Sequence, residues 1–209
     1  MEIRANKEVI LDGKTINSWE EVESAYRKRM ETFGPGHKAL HYSSESVHNA
    51  TLAYASKILH SIFKANNSVL DVGCGIGALV PFMPPCVYRG IDLVRESVVE
   101  ARSLYPDLKF DCTNLTEVTK KYDWIIMIGI TGSVPMPEAL IKRAWKLAIR
   151  GIIIDFVDFR KDRKDDLNTY DMGACTEFFL NMGAQQINLY PTARNTWNVF
   201  VVHKQSLWL

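Results

Sequence analysis

What the chain lacks narrows its class before any motif is read. It has almost no net charge: 25 Lys and Arg against 24 Asp and Glu leave a formal +1, so the broad basic field of a nucleic-acid binder is missing. Its longest charge-free apolar stretch, over about 125–130, is far too short to span a bilayer. The first ten residues, MEIRANKEVI, carry neither a basic segment leading into a long apolar core nor a cleavage-like site. The chain is therefore expected to be cytoplasmic and to make no membrane contact. Cysteine is scarce, with only Cys74, Cys86, Cys112 and Cys175. None of them forms a CxxC pair and no His stands at ligand spacing, which argues against a zinc site or a disulfide scaffold. They read as reduced, mostly buried thiols, and no metal is expected. What remains is 209 residues at 47% apolar, 11% aromatic and 23% charged, the composition of one ordinary globular domain.

Two helices precede the first convincing strand. Ser18-Trp19-Glu20-Glu21 reads as a capping box. Trp19, Val22, Tyr26, Met30 and Phe33 then recur at helical spacing as one apolar face, and Gly34-Pro35-Gly36 ends it. A second helix is expected over about 44–65, with Val47, Leu52, Ala55, Ile58, Leu59, Ile62 and Phe63 as its buried stripe. Further upstream, Val9-Ile10-Leu11 is a short apolar run followed by an Asp12-Gly13 turn.

From residue 68 the pattern alternates. Strands are expected over 68–72, 87–91, 109–111, 124–128 and 151–157, with helices over 96–104, 115–120 and 137–148 between them. Near-continuous apolar runs such as 124–128 suit strands covered on both faces, as in a parallel sheet. After a helix near 173–181 come two β-rich runs, 186–190 and 197–203, joined across Pro191 to Asn195 as a terminal antiparallel pair. The fold expected is α/β: a Rossmann-like three-layer sandwich, with a mostly parallel seven-stranded sheet, a terminal antiparallel β pair and an N-terminal helical lid. One domain is expected over 1–209, with 1–66 as the helical extension and 67–209 as the core.

The chemistry concentrates in Val69-Leu70-Asp71-Val72-Gly73-Cys74-Gly75-Ile76-Gly77. An apolar strand runs into three glycines at alternate positions, which let the backbone turn tightly and a ligand approach closely. A short helix is expected next, its N-terminus adding unpaired amides. Gly73-x-Gly75-x-x-Ala78 alone also fits a dinucleotide-binding turn. Asp71 favours another ligand, because a carboxylate in that turn repels a pyrophosphate and attracts an ammonium or sulfonium. Asp92 ends the second strand, placed for a ribose diol, and Asp111 ends the third. The intervals of 21 and 19 residues each match one strand-plus-helix unit. All three acids then line the carboxyl edge of adjacent parallel strands, where open α/β sheets bind ligands. A dinucleotide reading explains Asp92 but gives no role to Asp71 or Asp111.

Residues 68–157 resemble the class I S-adenosylmethionine (SAM)-dependent methyltransferases. The resemblance rests on VLDVGCGIG, the acids ending the second and third strands, and a fourth strand in Tyr122-Asp123-Trp124-Ile125-Ile126-Met127-Ile128-Gly129. The terminal β pair is similar to that family's reversed last strand. The resemblance implies SAM as cofactor and S-adenosylhomocysteine (SAH) as product. It places Gly73, Cys74, Gly75 and Gly77 at the methionine part, Asp71 at its amino group, Asp92 with Leu93 at the ribose, and Asp111 with Cys112 at the adenine. Ile128 completes the implied cofactor set. The stretch from Phe33 to Ser44 is similar to a lid segment in some small bacterial methyltransferases of unassigned substrate, which puts Lys38 and Tyr42 against the cofactor. Asn49-Ala50-Thr51 stands where such relatives carry an arginine.

The acceptor is less legible, since transfer from a sulfonium mainly requires alignment of donor and acceptor. Ile128-Gly129-Ile130-Thr131-Gly132-Ser133 replaces the Asp/Asn-Pro-Pro-aromatic motif of enzymes that methylate base amines, and no basic-aromatic run marks single-stranded nucleic acid. A small-molecule acceptor is expected, with protein and nucleic-acid acceptors left open. Candidates to face it are His37, His41, Tyr42, Thr131, Ser133, Asp158, Phe159 and Arg160. Tyr170, Tyr190, Arg194 and Trp197 are candidates to shape the pocket. His41, His37 or Tyr42 could supply a base, though no residue is assigned as catalytic. Two other readings stay in view: a SAM-binding partner subunit without catalysis, and an NAD(P)-dependent oxidoreductase.

Overall fold

The computed structural model describes residues 3–4, 8–40, 42, 44–159, 168–191 and 197–205. Among the site candidates, His41, Arg160 and Arg194 lie outside the described residues. So do the mixed-charge stretch 160–166 and most of the 191–195 connection.

Seven strands form one sheet, flanked by helices. In chain order they are β3 (Ser68–Val72), β4 (Val87–Asp92), β5 (Lys109–Cys112), β6 (Tyr122–Met127), β7 (Ala148–Val157), β8 (Gln186–Pro191) and β9 (Trp197–His203), and they lie side by side as β5-β4-β3-β6-β7-β9-β8. A separate two-stranded hairpin, β1 (Ile10–Leu11) and β2 (Lys14–Thr15), precedes them. Its turn is the expected Asp12-Gly13, with φ of 51° and 75°, the left-handed pair that tight hairpins favour. The helices are α1 (Trp19–Phe33), α2 (Glu45–Ile62), α3 (Arg95–Leu104), α4 (Pro137–Leu147) and α5 (Met172–Asn181). The mostly parallel α/β architecture with a terminal antiparallel pair is the one expected.

Two compact units divide the chain. One gathers the described residues of Met1–Val22 and Thr119–Leu209, the other Glu23–Val118. In the second unit, β3 pairs parallel to β4 and β4 parallel to β5, setting Asp71 opposite Gly90 and Asp92 opposite Cys112. Packing around Gly90 is close. A Cβ at that position would meet Phe110 at 2.7 Å and the Cys74 sulfur at 2.8 Å. In the first unit, β6 pairs parallel to β7, and β9 runs antiparallel between β7 and β8. The apolar runs of β6 and β7 are buried nearly throughout, as strands covered on both faces should be.

Several boundaries differ from expectation. The capping box forms, Ser18 Oγ accepting from the Glu21 amide at 3.3 Å and Glu21 Oε2 from the Asn17 amide at 2.7 Å. The α1 stripe, however, is mostly half-buried: only Val22 is buried and Phe33 is 50% exposed. Phe33 instead lies beneath the Arg29 guanidinium, 5.4 Å from its ring centre. Helix α2 starts where expected, with Ser44 Oγ accepting the Val47 amide at 3.2 Å, but stops at Ile62 because Phe63 turns to extended backbone.

The helix expected after the glycine turn does not form. A single 3-10 turn, Val80–Phe82, takes its place, with Pro81 inside it and Pro84-Pro85 just beyond. Proline has no amide hydrogen, and the residue before it is held away from helical backbone, so the segment cannot propagate. The expected helix over 115–120 is likewise a 3-10 turn, Leu115–Glu117, with Asn114 accepting the Thr116 amide. Strand β7 starts at Ala148, directly after α4.

Candidate functional site

The glycine turn is locked to the carboxyl end of β4. Gly73, Gly75 and Gly77 have φ of 72°, 53° and 78°, a region where any Cβ brings strain. The Gly73 and Cys74 amides donate to the Ile91 carbonyl at 2.8 and 3.0 Å. Asp92 completes the clamp, its Oδ2 accepting the Gly75 amide and its Oδ1 the Val94 amide, both at 2.8 Å. A Cβ on Gly75 would lie 3.1 Å from Leu40 Cδ2, so the 36–40 segment reaches this turn through Leu40. Arg29, one of the residues sequence reasoning passed over, holds that segment from α1. Its Nε donates to the Ala39 carbonyl at 3.3 Å and its Nη2 to the Lys38 carbonyl.

The three acids have different surroundings. Asp71 is buried in β3 and accepts the Tyr88 hydroxyl on Oδ2 at 2.8 Å. Loss of solvation pushes its pKa up to about 7; the Tyr88 hydrogen bond opposes this and the nearby Asp92 charge adds to it. Burial also raises the Asp92 carboxyl, against the backbone amides of Val94, Gly75 and Leu93. No described cation forms an ion pair with Asp71 or Asp92. Asp111 is neutralised instead: Arg89 Nε stands 2.7 Å from its Oδ2, and Arg102 Nη2 is 3.9 Å from its Oδ1.

The other cofactor candidates in this unit are placed as follows. The Cys74 side chain turns into the core with Tyr88, Val98, Ala101 and Phe110, its thiol donating to the Gly75 carbonyl at 3.7 Å. Cys112 is exposed and its thiol donates to the Leu93 carbonyl at 3.5 Å. Lys38 is exposed, and Tyr42 is half-buried with its ring 4.5 Å from that of His48. His48, also unforeseen, sits in line with Leu52, Ala55 and Leu59 on the buried side of α2. Desolvation lowers its pKa first, and the neighbouring His37 lowers it further.

In the other unit, Ile128 follows directly on β6, and the 129–134 segment after it is held by a buried polar cluster. The Gly129 amide donates to Asp155 Oδ1 at 2.9 Å and Thr131 Oγ1 to the Asp155 carbonyl at 2.6 Å. The Thr131 carbonyl accepts the Tyr170 hydroxyl at 2.5 Å and Asn168 Nδ2 at 3.0 Å. Thr131, Ser133, Asp158 and Tyr170 are all buried, while Phe159 is 43% exposed. Tyr190 and Trp197 lie on β8 and β9, half-buried. Neither Asp155 nor Asn168 was marked by its sequence context.

The fit of a cationic cofactor can be tested on the glycine turn. Two carboxyls with no cation partner among the described residues flank a cradle that a side chain would fill, which suits an ammonium-bearing ligand. A pyrophosphate would meet those same acids, and the proline-bound 3-10 turn offers no helix N-terminus to receive it.

Comparison with known proteins places this arrangement in context. Residues 46–181 match the family described as methyltransferase domain. Over 89 residues the chain is 30% identical to the mitochondrial ubiquinone biosynthesis O-methyltransferase of Saccharomyces cerevisiae; the match takes in 37% of this chain and 28% of that relative's length. Among solved structures, the magnesium protoporphyrin IX methyltransferase of Synechocystis PCC 6803 with bound SAM superposes with a TM-score of 0.69 at 17% identity, covering 91% of this chain and 100% of that one. A SAM-dependent methyltransferase of Thermotoga maritima gives 0.64 at 12% identity, covering 88% and 100%.

Proposed function

The chain belongs to the methyltransferase-domain family, and on that premise we propose that it transfers a methyl group from SAM to a small-molecule acceptor. The observation that carries the reading is the pair of acids, Asp71 and Asp92, that no cation among the described residues pairs with, at a three-glycine turn. When bound, SAM supplies an electrophilic methyl group on a sulfonium centre. In this reading Gly73, Gly75 and Gly77 hold the methionine part and the Asp71 carboxylate receives its ammonium. Asp92 and Leu93 face the ribose, and Asp111 with Cys112 borders the adenine. Arg89 sets the charge at that edge by pairing with Asp111. Lys38 and Tyr42 complete the set from the stretch that precedes α2.

The charge balance favours a small acceptor: the formal charge of +1 supplies no field for a phosphate backbone. All four cysteines are free thiols, which suits a reducing, cytoplasmic setting.

Calorimetry with SAM, SAH, NADH and NADPH tests the cofactor. SAM and SAH are expected to bind and both nicotinamide cofactors to fail; the reverse pattern would overturn the reading. Replacing Asp92 by Ala should weaken SAM by about 1–3 kcal/mol, the range for losing a hydrogen bond to a charged group. A folded Asp92→Ala chain that binds SAM like the parent would remove Asp92 from the site.

A further inference from the structure

Tyr88 lies on β4 opposite Val69, and both it and Asp71 belong to one compact unit, Glu23–Val118. It is buried in the core cluster of Cys74, Val98, Ala101 and Phe110. Its ring meets that of Phe110 edge-on, with centroids 5.6 Å apart, so packing fixes its direction. A phenylalanine would serve that packing equally well. What the tyrosine adds is a hydroxyl, and the hydroxyl donates to Asp71 Oδ2 at 2.8 Å.

The groups around Asp71 make that bond decisive. Burial pushes the Asp71 carboxyl up to about 7, and the neighbouring Asp92 charge adds to the rise. The thiols of Cys74 and Cys86 also sense Asp71. Burial raises both, Cys86 to about 11, so near neutrality both are uncharged. Burial, and then the Asp71 charge, hold the Tyr88 phenol well above its ordinary range, so its hydroxyl keeps its hydrogen and stays a donor. No described cation forms an ion pair with Asp71. Among the described residues, Tyr88 is therefore the one side chain that favours the carboxylate over the acid. Asp71 Oδ1 receives no hydrogen bond from the described residues, and the side chain is not fully sealed, at 4% exposure.

We propose that Tyr88 is a positioning residue for the cofactor: by donating to Asp71 Oδ2 it holds the carboxylate in its charged form and leaves Oδ1 to receive the cofactor's ammonium. This rests on the methyl-transfer reading above and deepens it. Near neutrality Asp71 gives up its proton to solvent when the ammonium arrives, and the Tyr88 hydroxyl sets the pH at which that exchange is easy.

SAH and 5′-methylthioadenosine are the probes, since the second keeps the nucleoside and the sulfur but lacks the ammonium-bearing chain. Both are titrated by calorimetry into the full chain and into Tyr88→Phe, from about pH 6 to about pH 9. In the parent, SAH affinity rises through pH 7. In Tyr88→Phe the rise should move up by about one pH unit, the scale of one hydrogen bond to a charged group. SAH should then bind about tenfold more weakly below pH 7, with the gap closing towards pH 9, where both chains carry the carboxylate. The amino group of SAH titrates alike against both chains and drops out of the ratio. Methylthioadenosine should bind the two chains equally at every pH, which also checks that the variant folds.

An SAH affinity equal to the parent's, a loss that is the same at every pH, or an equal loss for methylthioadenosine would make Tyr88 a packing residue only and overturn the inference. Site-specific 3-fluorotyrosine in place of Tyr88 is the second variant. It is a stronger donor of nearly the same shape, so it should move the rise below the parent's; a rise that stays or moves upward would overturn the inference as well. Failure of the parent to bind SAH at any pH would instead sink the methyl-transfer reading.

Discussion

Asp71→Asn should make the ligand-free chain more stable above pH 7, by about 4 kcal/mol, while weakening its hold on SAM. The carboxyl titrates near 7 in the fold against 3.8 ordinarily. Each pH unit between those values is worth about 1.4 kcal/mol of linkage. Because the folded value is the higher one, the fold is favoured by the protonated acid. That contribution is complete below pH 4, is lost as pH rises from about 4 to 7, and stays lost above. Asn cannot ionise and keeps an oxygen for the Tyr88 hydroxyl, so parent and variant should agree near pH 4 and diverge towards pH 7. Urea unfolding at pH 4 and pH 8 reads the gap directly. Equal stability of the two chains at pH 8 would show that Asp71 ionises as an ordinary carboxyl. SAM binding should report the same group from the other side: parent affinity rises through pH 7 as the carboxylate forms, and the variant's does not.

Gly151→Ala should destabilise the fold by about 3 kcal/mol, near the upper end for overpacking. A Cβ at this position would lie 2.1 Å from the Val202 carbonyl oxygen and 2.8 Å from the Trp124 ring. Gly151 is paired in register with Trp124 on β6 and His203 on β9, so the obstructing oxygen belongs to a ladder with strands on both sides. No rotamer change can clear it. Gly90→Ala is the milder comparison, since its clashes are with the Phe110 ring and the Cys74 thiol, which can shift. Chemical denaturation of both variants should rank Gly151 well above Gly90. The opposite ranking would mean that β7 and β9 yield more easily than the side chains packed around β4.

The strands and the turn were readable because their causes are local. Buried parallel strands demand apolar runs, left-handed backbone selects glycine, and the acids at 71, 92 and 111 are spaced by the length of a strand and its return. Which way those acids face is not local. Tyr88 stands opposite Val69 on β4, and only that register brings its hydroxyl to Asp71. Arg89 meets Asp111 for the same kind of reason, across the β4–β5 pair. The stripe on α1 was correctly periodic, yet spacing says nothing about what covers a helix, and Phe33 shows little does. Pro81 and Pro84-Pro85 were visible in the sequence. They outweigh the helix signal that follows the glycine turn. Asp155 and Asn168 are joined only through the tertiary contacts of the 129–134 segment, a link that no spacing rule encodes.

The prolines after the glycine turn have a thermodynamic consequence. A chain pinned at three φ angles within five residues has fewer unfolded conformations to surrender, and the cradle is held by Asp92 and the Ile91 carbonyl before any ligand arrives. Cofactor capture should therefore demand little ordering of this loop, so that its heat-capacity change reflects buried apolar surface more than induced structure.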